Sequence, residues 1–341
     1  MPISAYLRRL REKVGTDVVF TLGAGAVIMD DAGRVLLQKR SDNRRWSLPG
    51  GGLEPLETPA DAVVREVWEE TGLLVEPMRV MGVFGGPEFH VTYPNGDEIS
   101  GITTVFACRP IGGSLRPDGD EVLDLAYFDI EEALARLSMP AHLRSRFGAV
   151  MAAGERAYFD PPTWQPPADG VRANGISPYM RHMREKVGTT LLMTAGAAAV
   201  IFDAQGRVLL QKRGDTGRWG LVGGGIDPDE APADAVVREA WEETGLLVEP
   251  VRIVGVYGGP DFHLVYPNGD EVAITSIAFE CRVIGGTLAA DGEESLALAY
   301  LPPEDVLADT AIPARMRLRI RHALEKRDRA YFDPPTWQPP K

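Results

Sequence analysis

The chain has 341 residues, 44% of them hydrophobic and 25% charged, which is too much sequence for one small core and enough for two domains. Its 49 acidic against 36 basic residues leave a net charge of -13, which disfavours a surface for nucleic-acid polymers, because such a surface needs dense Lys and Arg. No run of 18 apolar residues occurs, so no membrane-spanning helix is expected; the two cysteines, Cys108 and Cys281, form no CxxC pair and suit a reducing, cytoplasmic setting rather than a disulfide framework.

In chain order, MPISAYLRRLREKVGTDVVF predicts a short amphipathic helix leading into a strand; it lacks the apolar core and cleavage site of a secretory signal. AGAVIMDDAGRVLLQKR gives two apolar runs around Asp30-Asp31-Ala32-Gly33 and reads as a β-hairpin. GAGA at Gly23–Ala26 lacks the third glycine of a dinucleotide loop and reads as a small-residue strand. GGLEPLETPADAVVREVWEETGL then predicts a helix over Pro59–Thr71, with Thr58 as N-cap, Pro59 at the first helical position, Asp61 in the place of a capping-box acid and Gly72 as the left-handed residue past the end. MRVMGVFGG, FHVTYP and EISGITTVFACRPIGG read as strands, with Pro94-Asn95-Gly96-Asp97 as a turn. LDLAYFDIEEALARL reads as a strand followed by a helix. Strands with helices packed on them predict an α/β sandwich around a mixed sheet.

All of this is written twice. REKVGT recurs at Arg11–Thr16 and Arg184–Thr189, GRVLLQKR at Gly33–Arg40 and Gly206–Arg213, YPNGDE at Tyr93–Glu98 and Tyr266–Glu271, and YFDPPTWQPP closes each half, always at one offset (184 − 11 = 173). Each copy is the size of a domain rather than a solenoid unit. The expected division is a first domain over residues 1–160, a semi-stiff Pro/Gly-rich linker over 161–175, and a second domain over 176–341.

The helix at Pro59–Thr71 has an unusual charge layout. At 100° per residue, Glu66, Glu69 and Glu70 share one arc, although like charges at helical neighbour spacing repel. The second copy keeps Gly224, Glu230, Arg238, Glu239, Glu242, Glu243 and Gly245, while Ala231 replaces the capping Thr58 and Ala240 replaces Val67. What differs affects helix stability; what matches carries charge.

Gly51, Glu57, Arg65-Glu66-Val67, Glu69-Glu70, Gly72 and Leu73 together resemble the Nudix box, GX5EX7REUXEEXGU with U aliphatic, and the second copy fits apart from Ala240. The chain thus resembles two complete MutT-like Nudix folds in tandem. The resemblance implies, for each half, an α/β/α sandwich around a mixed β-sheet and a loop–helix–loop holding divalent metal against a diphosphate. It implies metal ligands at Glu66, Glu69 and Glu70, at Glu239, Glu242 and Glu243, and at the carbonyls of Gly51 and Gly224. Arg65 and Arg238 would orient the carboxylates, and Glu57 and Glu230 would brace the loop or hold an outer-shell water. A carboxylate site without His or Cys suits Mg²⁺ or Mn²⁺.

The implied activity is metal-dependent pyrophosphohydrolysis of a small nucleotide-type substrate such as ADP-ribose, a dinucleoside polyphosphate or a nucleoside triphosphate, with two active sites. The alternative is a ligand-binding or regulatory member with one or both boxes non-catalytic. For the general base the candidates are Glu66 and Glu239, or Glu121 and Glu294 on a loop before a late strand. Arg40 and Arg213, ending a strand before each box, are candidate phosphate contacts, against the alternative of solvated strand ends. Trp46, Trp219, Phe84 and Tyr257 could stack on a base or fill the core; His90 and His263 are expected on a strand. Since family members commonly pair, the two halves are expected to form an internal pseudo-dimer.

Overall fold

The computed structural model describes the backbone of residues 4–136, 141–173, 175–266 and 268–340. The first half contains α1 (Ala5–Val14), β1 (Val19–Ile28), β2 (Val35–Arg40), β3 (Trp46–Ser47), β4 (Gly50–Gly52), α2 (Pro59–Thr71), β5 (Leu73–Phe84), β6 (Val91–Thr92), β7 (Glu98–Gly113), β8 (Val122–Phe128), α3 (Ile130–Arg136) and α4 (Ala141–Ala152). The second half repeats it with α5 (Pro178–Val187), β9 (Leu192–Ile201), β10 (Val208–Arg213), β11 (Trp219–Gly220), β12 (Val222–Gly225), α6 (Pro232–Thr244), β13 (Leu246–Tyr257), β14 (His263–Val265), β15 (Glu271–Gly286), β16 (Ser295–Leu301), α7 (Pro303–Ala308), α8 (Ala314–Leu324) and β17 (Tyr331–Phe332). Leu137, the last residue of one predicted helix, and Pro267 in the second YPNGDE turn lie outside the described residues.

Each half is an α/β sandwich on a mixed sheet. In the first, the order is β4-β1-β7-β5, with β1 parallel to β7 and the other neighbours antiparallel. A smaller sheet, β3-β2-β8, lies beside it. This corrects the hairpin expected around Asp30–Gly33: β1 and β2 belong to different sheets, and the turn between them keeps the isolated bridge Met29↔Val35. The reason is burial. β1 pairs over its whole length with β7, and Val35, Leu36 and Leu37 are fully buried on both faces of β2. Two buried faces need covering on both sides, which a simple hairpin does not provide.

Helix α2 has the predicted ends. The Thr58 side chain accepts from the Asp61 backbone N–H at 3.0 Å, and Gly72 closes the helix at φ 70°. The matching helix α6 starts at Ala231 with no side-chain cap. Ala60, Val63, Val64 and Val67 pack against Leu22 and Ala24 of β1, in one hydrophobic core that also includes Val236, Val237 and Ala240 of α6. Among the described residues no helix is long and apolar enough to cross a membrane.

The two halves grip each other through paired, reciprocal contacts. The Phe20 N–H donates to the Tyr179 hydroxyl at 2.8 Å, and the Met193 N–H donates to the Tyr6 hydroxyl at 2.9 Å. Phe332 meets Phe106 edge-on at 5.2 Å, and Phe159 meets Phe279 at 5.3 Å. Each PPTWQPP tail bridges its own half first, at Gly82↔Tyr158 or Gly255↔Tyr331, and then crosses to the other half's box helix. There the Thr336 and Trp337 N–H groups donate to Asp61 at 2.5 and 2.7 Å, and those of Thr163 and Trp164 donate to Asp234 at the same distances. The segment expected as a spacer is therefore docked at its start. Prolines deprive this tail of most backbone partners, so Asp234 carries much of the attachment. Asp234→Ala should weaken tail docking by about 1–3 kcal/mol, the cost of leaving such donors unpaired. Hydrogen exchange of the Thr163 and Trp164 amides should then speed up; unchanged protection would show that the tail is held elsewhere.

Candidate active site

The acidic patch is organised around one guanidinium per half. Arg65 donates from Nε and Nη2 to the two Glu57 oxygens, both at 2.8 Å, from Nη1 to Glu66 at 2.8 Å and Glu69 at 3.1 Å, and from Nη2 to the Gly52 carbonyl at 2.8 Å. Arg238 does the same to Glu230, Glu239, Glu242 and Gly225, at 2.6–2.9 Å. The planar fork holds carboxylates from a loop and a helix in one plane, which a point-charge lysine could not do. Glu57 also accepts from the Glu54 N–H at 2.9 Å, and Glu230 from the Asp227 N–H at 3.1 Å, which ties each carboxylate to its own loop.

Other box carboxylates converge on the glycine strand. Glu70 accepts from the Gly50 N–H at 2.7 Å and from the Gln38 side-chain amide at 2.8 Å; Glu243 accepts from the Gly223 N–H at 2.6 Å. A side chain at Gly51 would place its Cβ 2.5 Å from a Glu66 oxygen, and at Gly224 2.6 Å from Glu239. These positions need glycine because the carboxylate lies directly on the backbone.

In the second half, oxygens of Glu239, Glu243 and Glu294 all lie within 4.8 Å of one another. Glu294 comes from the loop before β16, so this tight group is not the arc of three expected on the helix. Glu242, like Glu69, is instead drawn to the arginine, and Glu69 leaves 55% of its side chain in water. In the first half, Glu121 lies close enough for its charge to act on Glu66.

Burial governs the titration of these groups. It raises the Glu66 carboxyl to about 7 against the pull of Arg65, and Glu239 to about 7 against Arg238. Glu70 rises to about 8 despite the hydrogen bonds from Gly50 and Gln38, and Glu243 rises well above the usual range through burial and repulsion from Glu239. Groups raised in this way favour the folded state while protonated. That stability is fully present below the unfolded value near 4.3 and is lost as pH rises through about 7 to 8. With chelator present, the melting temperature should therefore fall between about pH 5 and pH 8, and added Mg²⁺ should raise it more at pH 8 than at pH 6. A flat profile would show that these carboxyls are not strained.

The remaining candidates divide. Arg40 is paired with Asp42 and Arg213 with Asp215, each at 2.8 Å, so neither guanidinium stands free. Phe84 and Tyr257 are buried in the core, and Trp46 packs edge-on against Phe128 at 4.9 Å. His90 follows a short 3-10 turn rather than lying on a strand; it sits 2.9 Å from Asp229 of the other half and 3.5 Å from Glu98. His263, on β14, sits 3.2 Å from Glu271. Gln38, fully buried and bonded to Glu70, was missed; its signal was a polar residue inside the apolar run VLLQKR.

A family model described as the NUDIX domain matches residues 19–147 and again residues 192–322. The chain belongs to the NUDIX domain family. It carries two NUDIX domains in tandem and is a hydrolase of phosphoanhydrides. A MutT-like protein of Streptomyces ambofaciens is 34% identical over 128 residues, covering 38% of this chain and 75% of that protein. An ADP-ribose pyrophosphatase of Methanocaldococcus jannaschii is 38% identical over 106 residues, covering 30% of this chain and 59% of that protein. Among solved structures, a MutT NUDIX hydrolase from Burkholderia pseudomallei is 31% identical, covering 39% of this chain and 96% of that one, with a TM-score of 0.31.

Proposed function

We propose that each half is a divalent-metal-dependent pyrophosphohydrolase acting on the anhydride of a nucleoside diphosphate-linked substrate of the ADP-ribose, dinucleoside polyphosphate or nucleoside triphosphate class. The observation that carries this is the convergence of buried Glu239 and Glu243 with half-buried Glu294, Glu239 lying against Gly224 and Glu243 on the Gly223 N–H, matched in the first half by Glu66 against Gly51 and Glu70 on the Gly50 N–H. Burying carboxylates together is costly unless a cation joins them. The donor set is all oxygen, which fits Mg²⁺ or Mn²⁺. Glu66, Glu70 and Gly51, and Glu239, Glu243 and Gly224, would hold the ion, with Glu69 and Glu242 completing the set from the arginine side. When bound, such an ion neutralises phosphate oxygens and acidifies a water.

The chain's own contribution is positioning and proton transfer. Arg65 and Arg238 fix the carboxylates to the loop, so little reorganisation is needed when substrate arrives. Glu121 and Glu294, or Glu66 and Glu239, would take the proton of the attacking water. Arg40 and Arg213, tethered by Asp42 and Asp215, would meet substrate phosphate.

The reciprocal tail and tyrosine contacts support an internal pseudo-dimer, with domains at 1–160 and 176–341 joined by 161–175. Unpaired, buried Cys108 and Cys281 suit a reducing cytoplasm. A second reading, in which the second half binds without turnover, has one observation in its favour: the Gly175 N–H of the linker donates to Glu294 at 2.5 Å and occupies that candidate base.

Mass spectrometry of products from ADP-ribose, dinucleoside polyphosphates, ordinary and oxidised nucleoside triphosphates, nucleotide sugars and 5′-triphosphorylated RNA should show anhydride cleavage of a small nucleotide with Mg²⁺ and none with chelator. Equal product in both conditions would overturn metal-assisted hydrolysis. A total rate unchanged by Glu243→Gln would favour the second reading.

A further inference from the structure

The second half buries a positive charge that nothing balances. Arg319 of α8 is 7% exposed, its Nε has no partner, and among the described residues its guanidinium makes no hydrogen bond or ion pair. It lies over the rings of Phe262 at 5.0 Å and Tyr257 at 5.6 Å. The Tyr257 hydroxyl is already bonded to His322 at 3.0 Å. Ring faces offset part of the lost hydration, but a guanidinium stays protonated even with its pKa pulled down by burial to about 10.

The neighbours deepen the imbalance. Arg315, half-buried one helical turn earlier, acts on Arg319 as a like charge and is itself pressed by Arg213; among the described residues the other titratable groups acting on the pair are Tyr257 and Tyr266, neither a carboxylate. Arg213 and α8 meet around Gly220, where a Cβ would be 2.8 Å from the Met316 sulfur and 3.6 Å from the Arg213 chain. Arg213 in turn has Asp215 bonded to it and feels the charge of Glu243 in the acidic cluster. A row of arginines thus runs from the box carboxylates to a buried end.

The first half is built differently in the same place. By position, Arg315 is His142, His322 is Ala149 and Tyr257 is Phe84, whereas Arg319 and Arg213 are matched by arginines, Arg146 and Arg40. There an apolar cavity of about 50 Å³ is lined by Val27, Leu48, Phe84, Phe89, Phe147 and Val150.

We propose that Arg315 and Arg319, with Arg213, form an anion-binding subsite in the second half that receives a phosphate group of the ligand other than the anhydride being cleaved. Guanidinium forks match phosphate oxygens bidentately, and that of Arg319 is already desolvated. The subsite is specific to the second half through Arg315, which the first half replaces by His142. The inference rests on the hydrolase reading only for the occupant being a phosphate of a nucleotide.

The test uses inorganic tripolyphosphate, titrated calorimetrically into the full chain with chelator present. One binding event per chain is expected, weakened at least about tenfold by Arg315→Ala and by Arg319→Met and unchanged by His142→Ala. Arg315 is half-buried on a helix surface, so its variant guards against misreading a folding defect of Arg319→Met. No binding by the native chain, or equal binding by both arginine variants, would overturn the subsite; so would binding lost in Arg40→Ala and kept in Arg315→Ala. No metal is present and no bond is broken, so a failure here leaves the hydrolase reading standing, and absent hydrolysis with intact tripolyphosphate binding would sink only that reading.

Discussion

Replacing Glu70 and Glu243 together by glutamine should lower phosphoanhydride hydrolysis by at least about a hundredfold, the scale expected when a preorganised electrostatic group is lost at a reacting centre. These two are the right pair because each is fixed on the glycine strand, Glu70 by the Gly50 N–H and Glu243 by the Gly223 N–H, and each is almost wholly buried. Glutamine keeps the shape and loses the charge. It also brings a side-chain N–H₂ toward one of the donors these oxygens accept from. Either single substitution should remove only one half's share of the rate, because the two boxes sit in separate sheets. A double variant that retains more than about a tenth of the rate would place catalysis outside these clusters.

The largest stability effect should come from the arginines. Arg65→Ala strands Glu57 and Glu66, which are mostly buried, with no cation between them; breaking a buried pair in this way typically costs about 3–5 kcal/mol. Arg238→Ala should cost more. Its partner Glu242 is 16% exposed, whereas Glu69, the counterpart bonded to Arg65, is 55% exposed and can turn to water. The weaker start of α6, with Ala231 in the place of Thr58, leaves that half less able to absorb the loss. Melting in chelator should rank native chain above Arg65→Ala above Arg238→Ala, and Mn²⁺ should recover part of each deficit. Lysine should not substitute for either arginine, because one ammonium cannot bridge three carboxylates and a carbonyl. Equal melting temperatures for all three would show that the network is decorative.

Much of this was legible in the sequence because local rules and charge spacing agreed. Thr58, Pro59 and Gly72 set the ends of α2, and the box carboxylates with their arginine announced the chemistry. What local rules could not show was anything decided across the fold. The run around Asp30–Gly33 has every mark of a hairpin, yet burial on both faces of β2 sends it to another sheet. Asp61 looked like a capping-box acid and also serves as the anchor for a tail from the other half, some 270 residues later in the chain. Glu294 joined the acidic group in place of Glu242 because helical spacing says nothing about a loop that folds back over the helix. The unbalanced charge of Arg319 had no sequence signature, since its burial depends on Tyr257 at the end of β13 and Phe262 in the 3-10 turn after it, both far from α8 in the chain.

The most direct test of metal capture by the buried carboxylates is the Mn²⁺ binding isotherm of the full chain, read by electron paramagnetic resonance with a non-hydrolysable nucleotide present. Saturable uptake at both halves, lost in the Glu70→Gln, Glu243→Gln double variant, is the predicted result. No saturable uptake by the native chain, or the same uptake by the double variant, would contradict it.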